Sequence, residues 1–191
     1  MRKITRVITD CDECLVDYRG GFLAVHPELA ETYIFPAELN AAFRQSDAIR
    51  NLAPVPGSMD FVKAINDALI PIDIVTSLGN EPIAFENRMH NLDNLFGRRA
   101  FDKIHVLPYR ASKRQVLTEL GYDPQTTVFI DDHLGHLMES PYINVWLHCP
   151  NFDPTKPTPE MLSHVAKEVS SMREAAEFVL NYGRDDKRVE S

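Results

Sequence analysis

Residues 6–12 read Arg-Val-Ile-Thr-Asp-Cys-Asp, an apolar run that ends in two carboxylates. The run is uninterrupted and β-branched, which is typical of a strand buried on both faces of a parallel sheet. Side chains alternate along an extended chain, so the spacing of Asp10 and Asp12 points both to the same side. A carboxylate at a strand end can attack phosphorus, and a neighbouring one can protonate the leaving oxygen. Taken alone, such a pair also fits a turn cap or a structural ion site.

Comparable runs recur along the chain and alternate with helical patterns. Strands are predicted at Ile4–Thr9, Ile72–Thr76, Lys103–Leu107, Thr127–Ile130 and Ile143–Leu147, with a last short one near Val165–Val169. Helices are predicted at Ser58–Leu69, Glu81–Leu95, Ser112–Leu120 and Met172–Leu180. Strands joined by crossover helices predict an α/β fold of the Rossmann-like three-layer type, in which helices cover both faces of a parallel sheet. The ligand site of such a fold lies beyond the carboxyl ends of the strands.

The segment from Tyr18 to Pro56 interrupts this alternation, because it is far longer than a usual loop between a strand and its crossover helix. We interpret residues 18–54 as a small helical insertion, and residues 1–17 and 55–191 as the core domain. Its aromatic side chains either contact substrate or pack on the sheet. The candidates for substrate contact are Tyr18, Arg19, Phe22, His26, Tyr33, Phe35, Phe43 and Arg44.

A second pair of acids ends the predicted strand Thr127–Ile130, at Asp131 and Asp132. Like charges this close are costly unless a cation lies between them. If this strand lies beside the first, these acids join Asp10 in an oxygen-rich site suited to Mg²⁺. The alternative is an aspartate that caps a helix near His133–Met138.

Hydroxyl and ammonium groups follow the two strands that lie between the acid pairs in the sequence. Thr76 and Ser77 end one strand, and Lys113 begins the helix after the next. A hydroxyl at a strand end can bind a phosphate oxygen, while an ammonium can neutralise a second one. Each is common by itself, since such hydroxyls usually serve turns and such lysines are usually solvated.

The order of these features resembles the four signatures of the haloacid dehalogenase superfamily of phosphatases, which are matched over residues 4–135 by Asp10-Cys11-Asp12, Thr76, Lys113 and Asp131-Asp132. The resemblance implies a sheet ordered 5-4-1-2-3, a Mg²⁺ cofactor and an aspartyl-phosphate intermediate. It also places residues 18–54 where that superfamily carries a small helical cap. Cys14 departs from the Thr or Val usual at that position, and no role can be inferred for Glu13.

The resemblance also implies roles for the matched residues. Asp10 is expected to attack phosphorus, and Asp12 to protonate the leaving group and then activate water. Thr76, Ser77 and Lys113 are expected to bind the phosphoryl oxygens. Asp10, the backbone carbonyl of Asp12, Asp131 and Asp132 are expected to hold the metal. The expected function is Mg²⁺-dependent phosphomonoester hydrolysis of a small phosphorylated metabolite. An aromatic-rich cap would suit a nucleobase, as in the 5'(3')-deoxyribonucleotidases that the resemblance includes.

Other functions stay open at this point. A phosphomutase or other phosphotransferase would use the same residues, and a non-catalytic binding module could retain them. Cys11 and Cys14 form a Cys-x-x-Cys, which would suit thiol exchange or zinc, although zinc would need two further ligands. A receiver domain also combines acids, a threonine and a lysine around Mg²⁺, but its phosphorylated aspartate follows a middle strand and not the first.

Composition bounds the partners. A chain of 191 residues with 44% hydrophobic residues suits one domain with a sizeable core. A net charge of −8 argues against general nucleic-acid binding, which needs a basic face. No segment is apolar for long enough to suggest a membrane span or a signal peptide, and three cysteines suit a reducing compartment, so we expect a cytoplasmic protein.

Overall fold

The protein forms a parallel six-stranded sheet, as described by a computed structural model for residues 2–32, 34–79, 81–148 and 156–183. The strands are β1 (Arg6–Thr9), β2 (Ile72–Thr76), β3 (Lys103–Val106), β4 (Thr127–Asp131), β5 (Ile143–Leu147) and β6 (Lys167–Val169). Their order is β3-β2-β1-β4-β5-β6. The α/β fold and the order 5-4-1-2-3 are therefore confirmed, and the last short strand lies at the edge beside β5.

Eight helices connect or flank the strands of the described chain: α1 (Tyr18–Val25), α2 (Ala37–Arg44), α3 (Ser58–Asp67), α4 (Pro82–Phe96), α5 (Arg114–Glu119), α6 (Leu134–Glu139), α7 (Pro159–Ser163) and α8 (Met172–Asn181). Short 3₁₀ turns lie at Pro27–Leu29 and Asp47–Asn51. Helix α5 begins two residues later than predicted, which leaves Lys113 at its N-cap position. No helix of the described ranges combines the length and the apolar character that crossing a membrane requires.

Strand register brings the predicted site residues to one edge. Thr9 lies beside Ile74 of β2 on one side and Ile130 of β4 on the other. Asp10, the next residue, donates its backbone N–H to the carbonyl of Ile130 at 2.9 Å. Because all the pairings are parallel, the carboxyl ends of β1, β2 and β4 meet at this edge.

Two hydrophobic clusters cover the sheet. One contains Val7, and the other contains its neighbour Ile8, because successive side chains of a strand point to opposite faces. Residues 18–54 contribute Phe22 and Phe43 to the same cluster as Val7. Each fully buried side chain of this size stabilises the fold by roughly 1.5–3 kcal/mol.

The aromatic side chains of residues 18–54 pack mainly on one another. Phe22 stacks on Phe35 with ring centroids 3.8 Å apart, and Phe43 meets both Phe22 and Tyr18 edge-on at 5.2 Å. Phe22 and Phe43 are buried. Packing, the second alternative weighed for this insertion, therefore accounts for these two rings.

Candidate active site

A cavity of about 560 Å³ opens at the carboxyl edge of the sheet. It is lined by Asp10, Asp12, Ile34, Thr76, Ser77, Tyr109, Arg110, Lys113, His133 and His136. These residues follow β1, β2, β3 and β4, so four loops distant in sequence converge on one space. This is the position at which an open parallel sheet binds its ligand.

Lys113 forms the centre of the site. Its Nζ lies 2.8 Å from Oδ1 of Asp10 and 2.7 Å from Oδ2 of Asp131, and its side chain is fully buried. The backbone N–H of Lys113 donates to Glu139 Oε2 at 3.0 Å, which ties the start of α5 to α6. Lys113 therefore bridges the two strand ends that carry the predicted acids.

Burial and charge shift the pKa values of these groups in opposite directions. Burial raises the pKa of Asp10 above its usual range, although Lys113 opposes the shift. Burial also acts on Asp131, but Lys113 and His136 outweigh it and hold the pKa of that carboxyl below its usual range. Burial would lower the pKa of Lys113, yet Asp10 and Asp131 raise it, so the lysine stays charged. The site is thus a buried cation between two carboxyl groups.

Asp131 is held from several sides. Its Oδ1 accepts the backbone N–H of His133 at 2.8 Å, and His136 Nδ1 lies 3.1 Å from its Oδ2. Ligand atoms of Asp10, Asp131 and His136 all lie within 4.8 Å of one another, close enough to share one metal ion. His136 was not among the site residues predicted from the sequence. The signal was its place five residues after Asp131, on the first helix beyond the strand.

Asp132 lies in surroundings crowded with negative charge. Burial raises its pKa well above the usual range, and Asp131, Asp10 and Glu13 add to the shift. A divalent cation would relieve this repulsion, and carboxylate oxygens are the ligands that Mg²⁺ prefers. The donor atoms therefore fit a metal ion, although the carboxylates of Asp12 and Asp132 do not belong to the group of ligand atoms found in the described chain.

The two predicted hydroxyl groups differ in their surroundings. Thr76 is buried, and its Oγ1 finds no hydrogen-bond partner among the residues that the structure describes. Ser77 donates its hydroxyl to the carbonyl of Ala111 at 3.0 Å. A buried hydroxyl without a partner is costly, and a ligand oxygen would satisfy it. Thr76 is therefore the better placed of the two to bind substrate.

Asp12 lines the cavity and forms an ion pair with Arg88 of α4, a residue that sequence reasoning missed. No sequence signal could have found this contact, because a polar residue on a predicted helix is usually solvated. Glu13, next along the chain, has a positive φ of 60° and accepts the backbone N–H of Arg19 at 2.6 Å. Burial raises the pKa of Glu13 to about 8.

The two cysteines of the Cys-x-x-Cys lie in the core. Cys11 and Cys14 are fully buried and form no disulfide with any cysteine of the described residues, and burial raises the pKa of each thiol, that of Cys11 to about 12. A buried thiol with a raised pKa is a poor nucleophile and a poor metal ligand. The structure therefore disfavours the thiol and zinc alternatives for this pair. Cys149 lies outside the described residues.

The candidates for substrate contact in residues 18–54 do not line this cavity, as far as the structure describes them, and Tyr33 lies outside the described residues. Ile34, 75% exposed, lines it instead. Tyr109 and Arg110, on the loop before α5, were missed by sequence reasoning. Tyr109 accepts a hydrogen bond from Asn40 Nδ2 at 2.7 Å and stacks under the guanidinium of Arg44 at 3.9 Å. The insertion thus reaches the cavity wall directly through Ile34, and Asn40 and Arg44 contact the wall through Tyr109.

Solved structures of similar fold are available. A dehalogenase with an intermediate complex matches 94% of this chain over 99% of its own length, with a TM-score of 0.68 and 10% identity. The putative haloacid dehalogenase-type hydrolase YfnB from Bacillus subtilis, bound to magnesium, matches with a TM-score of 0.65 and 13% identity, covering 93% of this chain and 99% of that one. CbbY from Rhodobacter sphaeroides, in complex with phosphate, matches with a TM-score of 0.62 and 16% identity, covering 90% of this chain and 96% of that one.

No protein-family model matches the sequence, and no curated protein does. At 10 to 16% identity, the structural matches establish the fold. The fold is therefore the one seen in haloacid dehalogenase-like hydrolases. A shared fold does not decide the chemistry, which depends on the side chains at the site.

Proposed function

We propose that this protein is a Mg²⁺-dependent phosphomonoester hydrolase that uses Asp10 as a covalent nucleophile. The observation that carries the proposal is the buried Lys113, within 3 Å of both Asp10 and Asp131. An ammonium in this position lets a carboxylate approach an anionic ester, because it offsets the charge of both. The unpartnered hydroxyl of Thr76 on the cavity wall adds a donor for a phosphoryl oxygen.

The residues divide the reaction between them. Asp10 would attack phosphorus and form an aspartyl-phosphate, while Thr76 and Lys113 bind the phosphoryl oxygens. Asp12 would protonate the departing oxygen and then take a proton from the water that attacks the intermediate. Asp10, the backbone carbonyl of Asp12, Asp131 and Asp132 would hold Mg²⁺. His136, whose ring nitrogen lies within 4.8 Å of ligand atoms of Asp10 and Asp131, could serve as a further ligand. The ion would supply charge neutralisation at the phosphoryl group.

The substrate that we propose is a small phosphorylated metabolite. A cavity of about 560 Å³ suits a molecule of that size, and a formal charge of −8 disfavours a nucleic-acid chain. A nucleoside monophosphate is the narrower proposal. It is supported by Tyr109 at the cavity wall, which is 36% exposed, and not by the buried rings of Phe22 and Phe43.

Dehalogenation is a second candidate, since dehalogenases are among the proteins of similar fold. An aspartate nucleophile can displace halide from carbon as well as attack phosphorus. Halide displacement gives no reason for the crowded acids around Asp132, whereas a metal-dependent phosphatase does. A mutase would share every step up to the aspartyl-phosphate and differ in the acceptor.

A substrate panel with and without Mg²⁺ tests the proposal. Nucleoside monophosphates, sugar phosphates and 2-haloacids are each incubated with the protein and with its Asp10→Asn variant. We expect phosphate release that requires Mg²⁺, is abolished by a chelator and is lost in the variant. Asp67→Asn, which alters an exposed aspartate on α3, serves as the matched control and keeps full activity. Halide release without metal would overturn the proposal in favour of dehalogenation, and transfer of phosphate between sugar positions would indicate a mutase.

A further inference from the structure

Arg88 is a fully buried arginine in the middle of α4, and the proposed reaction gives it no role. One guanidinium nitrogen pairs with Asp12 Oδ1, and another lies 3.4 Å from the sulfur of Cys11. Its Nε has no hydrogen-bond partner within the part of the chain that the structure describes. Asp12 is the sole carboxylate that forms an ion pair with it among the described residues.

Packing alone does not explain why a charged guanidinium is buried at this position. Removing its charge from water is energetically unfavourable, and an apolar side chain of similar volume packs as well without that cost. Other polar residues of α4 show what a structural contact looks like on this helix. Asn87 donates to the carbonyl of Ser46 at 3.0 Å, and Asn91 donates to the carbonyl of Leu52 at 2.9 Å. Arg88 contacts instead two consecutive residues of the loop that carries the nucleophile.

The contact restricts the side chain that is expected to move protons. Asp12 follows β1 on a loop, and its side chain is 27% exposed where it lines the cavity. Arg88 holds one carboxylate oxygen from the protein side, which restricts rotation of the side chain and keeps it at the cavity wall. Proton transfer requires the acid to lie within hydrogen-bond reach of the leaving oxygen. A fixed rotamer keeps the Asp12 carboxyl group where it can donate its proton.

We propose that Arg88 is a positioning residue that holds the Asp12 carboxylate at the cavity for proton transfer to the leaving group. The proposal rests on the function proposed above. In the step concerned, Asp12 carries a proton on the oxygen that Arg88 does not hold. The Asp10 carboxylate oxygen bonds to phosphorus, the bond from phosphorus to the leaving oxygen breaks, and the Asp12 proton passes to that oxygen. In the next step, water attacks phosphorus, its proton returns to Asp12, and Asp10 is released.

Leaving-group dependence tests this role, because a good leaving group departs without a proton. The variants Arg88→Lys and Arg88→Met are compared with the wild type on 4-nitrophenyl phosphate and on ethyl phosphate. The measured quantity is kcat/KM, which reports the first transfer and not the later attack of water. We expect roughly a 100-fold loss on ethyl phosphate and less than about a 5-fold loss on 4-nitrophenyl phosphate, with Lys milder than Met.

Asn87→Ala is the matched control, since Asn87 is also buried on α4 but donates to the backbone carbonyl of Ser46 and not to Asp12. It should lower Tm and change both kcat/KM values by the same factor. An equal loss on the two substrates in the Arg88 variants would show a structural role and overturn the proposal. A wild type that releases no phosphate from these two esters or from any phosphate ester of the substrate panel would instead refute the proposed phosphatase function, so the two failures are distinguishable.

Thermal unfolding of Asp12→Asn provides a measurement that does not depend on folding of the Arg88 variants. Loss of the carboxylate charge leaves Arg88 buried without a counter-charge, so we expect Tm to fall by about 5 °C or more. The same change at the exposed Asp67 should leave Tm unaltered. An unchanged Tm in Asp12→Asn would show that the ion pair does not hold Arg88, and the proposal would be wrong.

Discussion

Replacement of Lys113 by methionine should destabilise the protein strongly. The side chain is fully buried, with Nζ 2.8 Å from Asp10 and 2.7 Å from Asp131. At an effective dielectric constant of about 20, each attraction amounts to roughly 6 kcal/mol before desolvation is subtracted. Without the ammonium, two carboxyl groups remain close together and buried. Measurements on other buried pairs give a loss of about 3–5 kcal/mol when one partner is removed.

The assay is thermal or urea unfolding of the metal-free protein at pH 7. A loss of this size corresponds to a fall in Tm of roughly 6–20 °C for a chain of this length. Lys63→Met is the control, because Lys63 is 73% exposed and pairs with Asp67 on the surface of α3. Its Tm should match the wild type. If Lys113→Met unfolds within 2 °C or so of the wild type, the bridge does not hold the two strand ends, and the reasoning fails.

Three further changes have distinct signatures. Glu13→Gln should stabilise the protein near pH 8 but not near pH 4. Burial raises the Glu13 pKa from 4.5 to about 8, so the native state loses stability as pH rises through that window. Unfolding measured at both pH values checks this prediction. Thr76→Val removes an unpartnered buried hydroxyl, so Tm should stay the same or rise. Steady-state kinetics should show a higher KM for a phosphate ester. A lower Tm with an unchanged KM would contradict this prediction. Phe22→Ala should lower the free energy of unfolding, measured in urea, by about 3–5 kcal/mol, because the ring is fully buried. Its kcat/KM should stay within a factor of about two of the wild type, because the ring does not line the cavity. Lost activity at full stability would refute this prediction.

The strands could be predicted from the sequence because each is a local signal. Thr127–Ile130 and Ile143–Leu147 are apolar runs that need no distant partner to be recognised, and the structure moves their ends by one residue at most. Their order in the sheet is not local. It came from the resemblance, since periodicity says nothing about which strands pair.

The candidate site was predictable where its members sit at strand ends. Asp10, Thr76 and Asp131 come to one edge because parallel strands end together there. Arg88 was missed because its partner is 76 residues away in the sequence. The aromatic residues of the insertion were expected either at substrate or on the sheet, and an aromatic ring suits both places. Composition cannot distinguish a buried ring such as Phe22 from one that faces a ligand.

The packing of the stacked rings of Phe22 and Phe35 opposes opening of residues 18–54. Phe22 and Phe43 belong to the same hydrophobic cluster as Val7 of the central strand, so the insertion shares its interior with the sheet. Swinging residues 18–54 away as a lid would hydrate both buried rings, at a cost of roughly 3–6 kcal/mol. Such an open form would make up on the order of 1% of the molecules or less. Molecules that reach Asp10 must then enter the cavity that it lines without a hinge motion of the whole insertion.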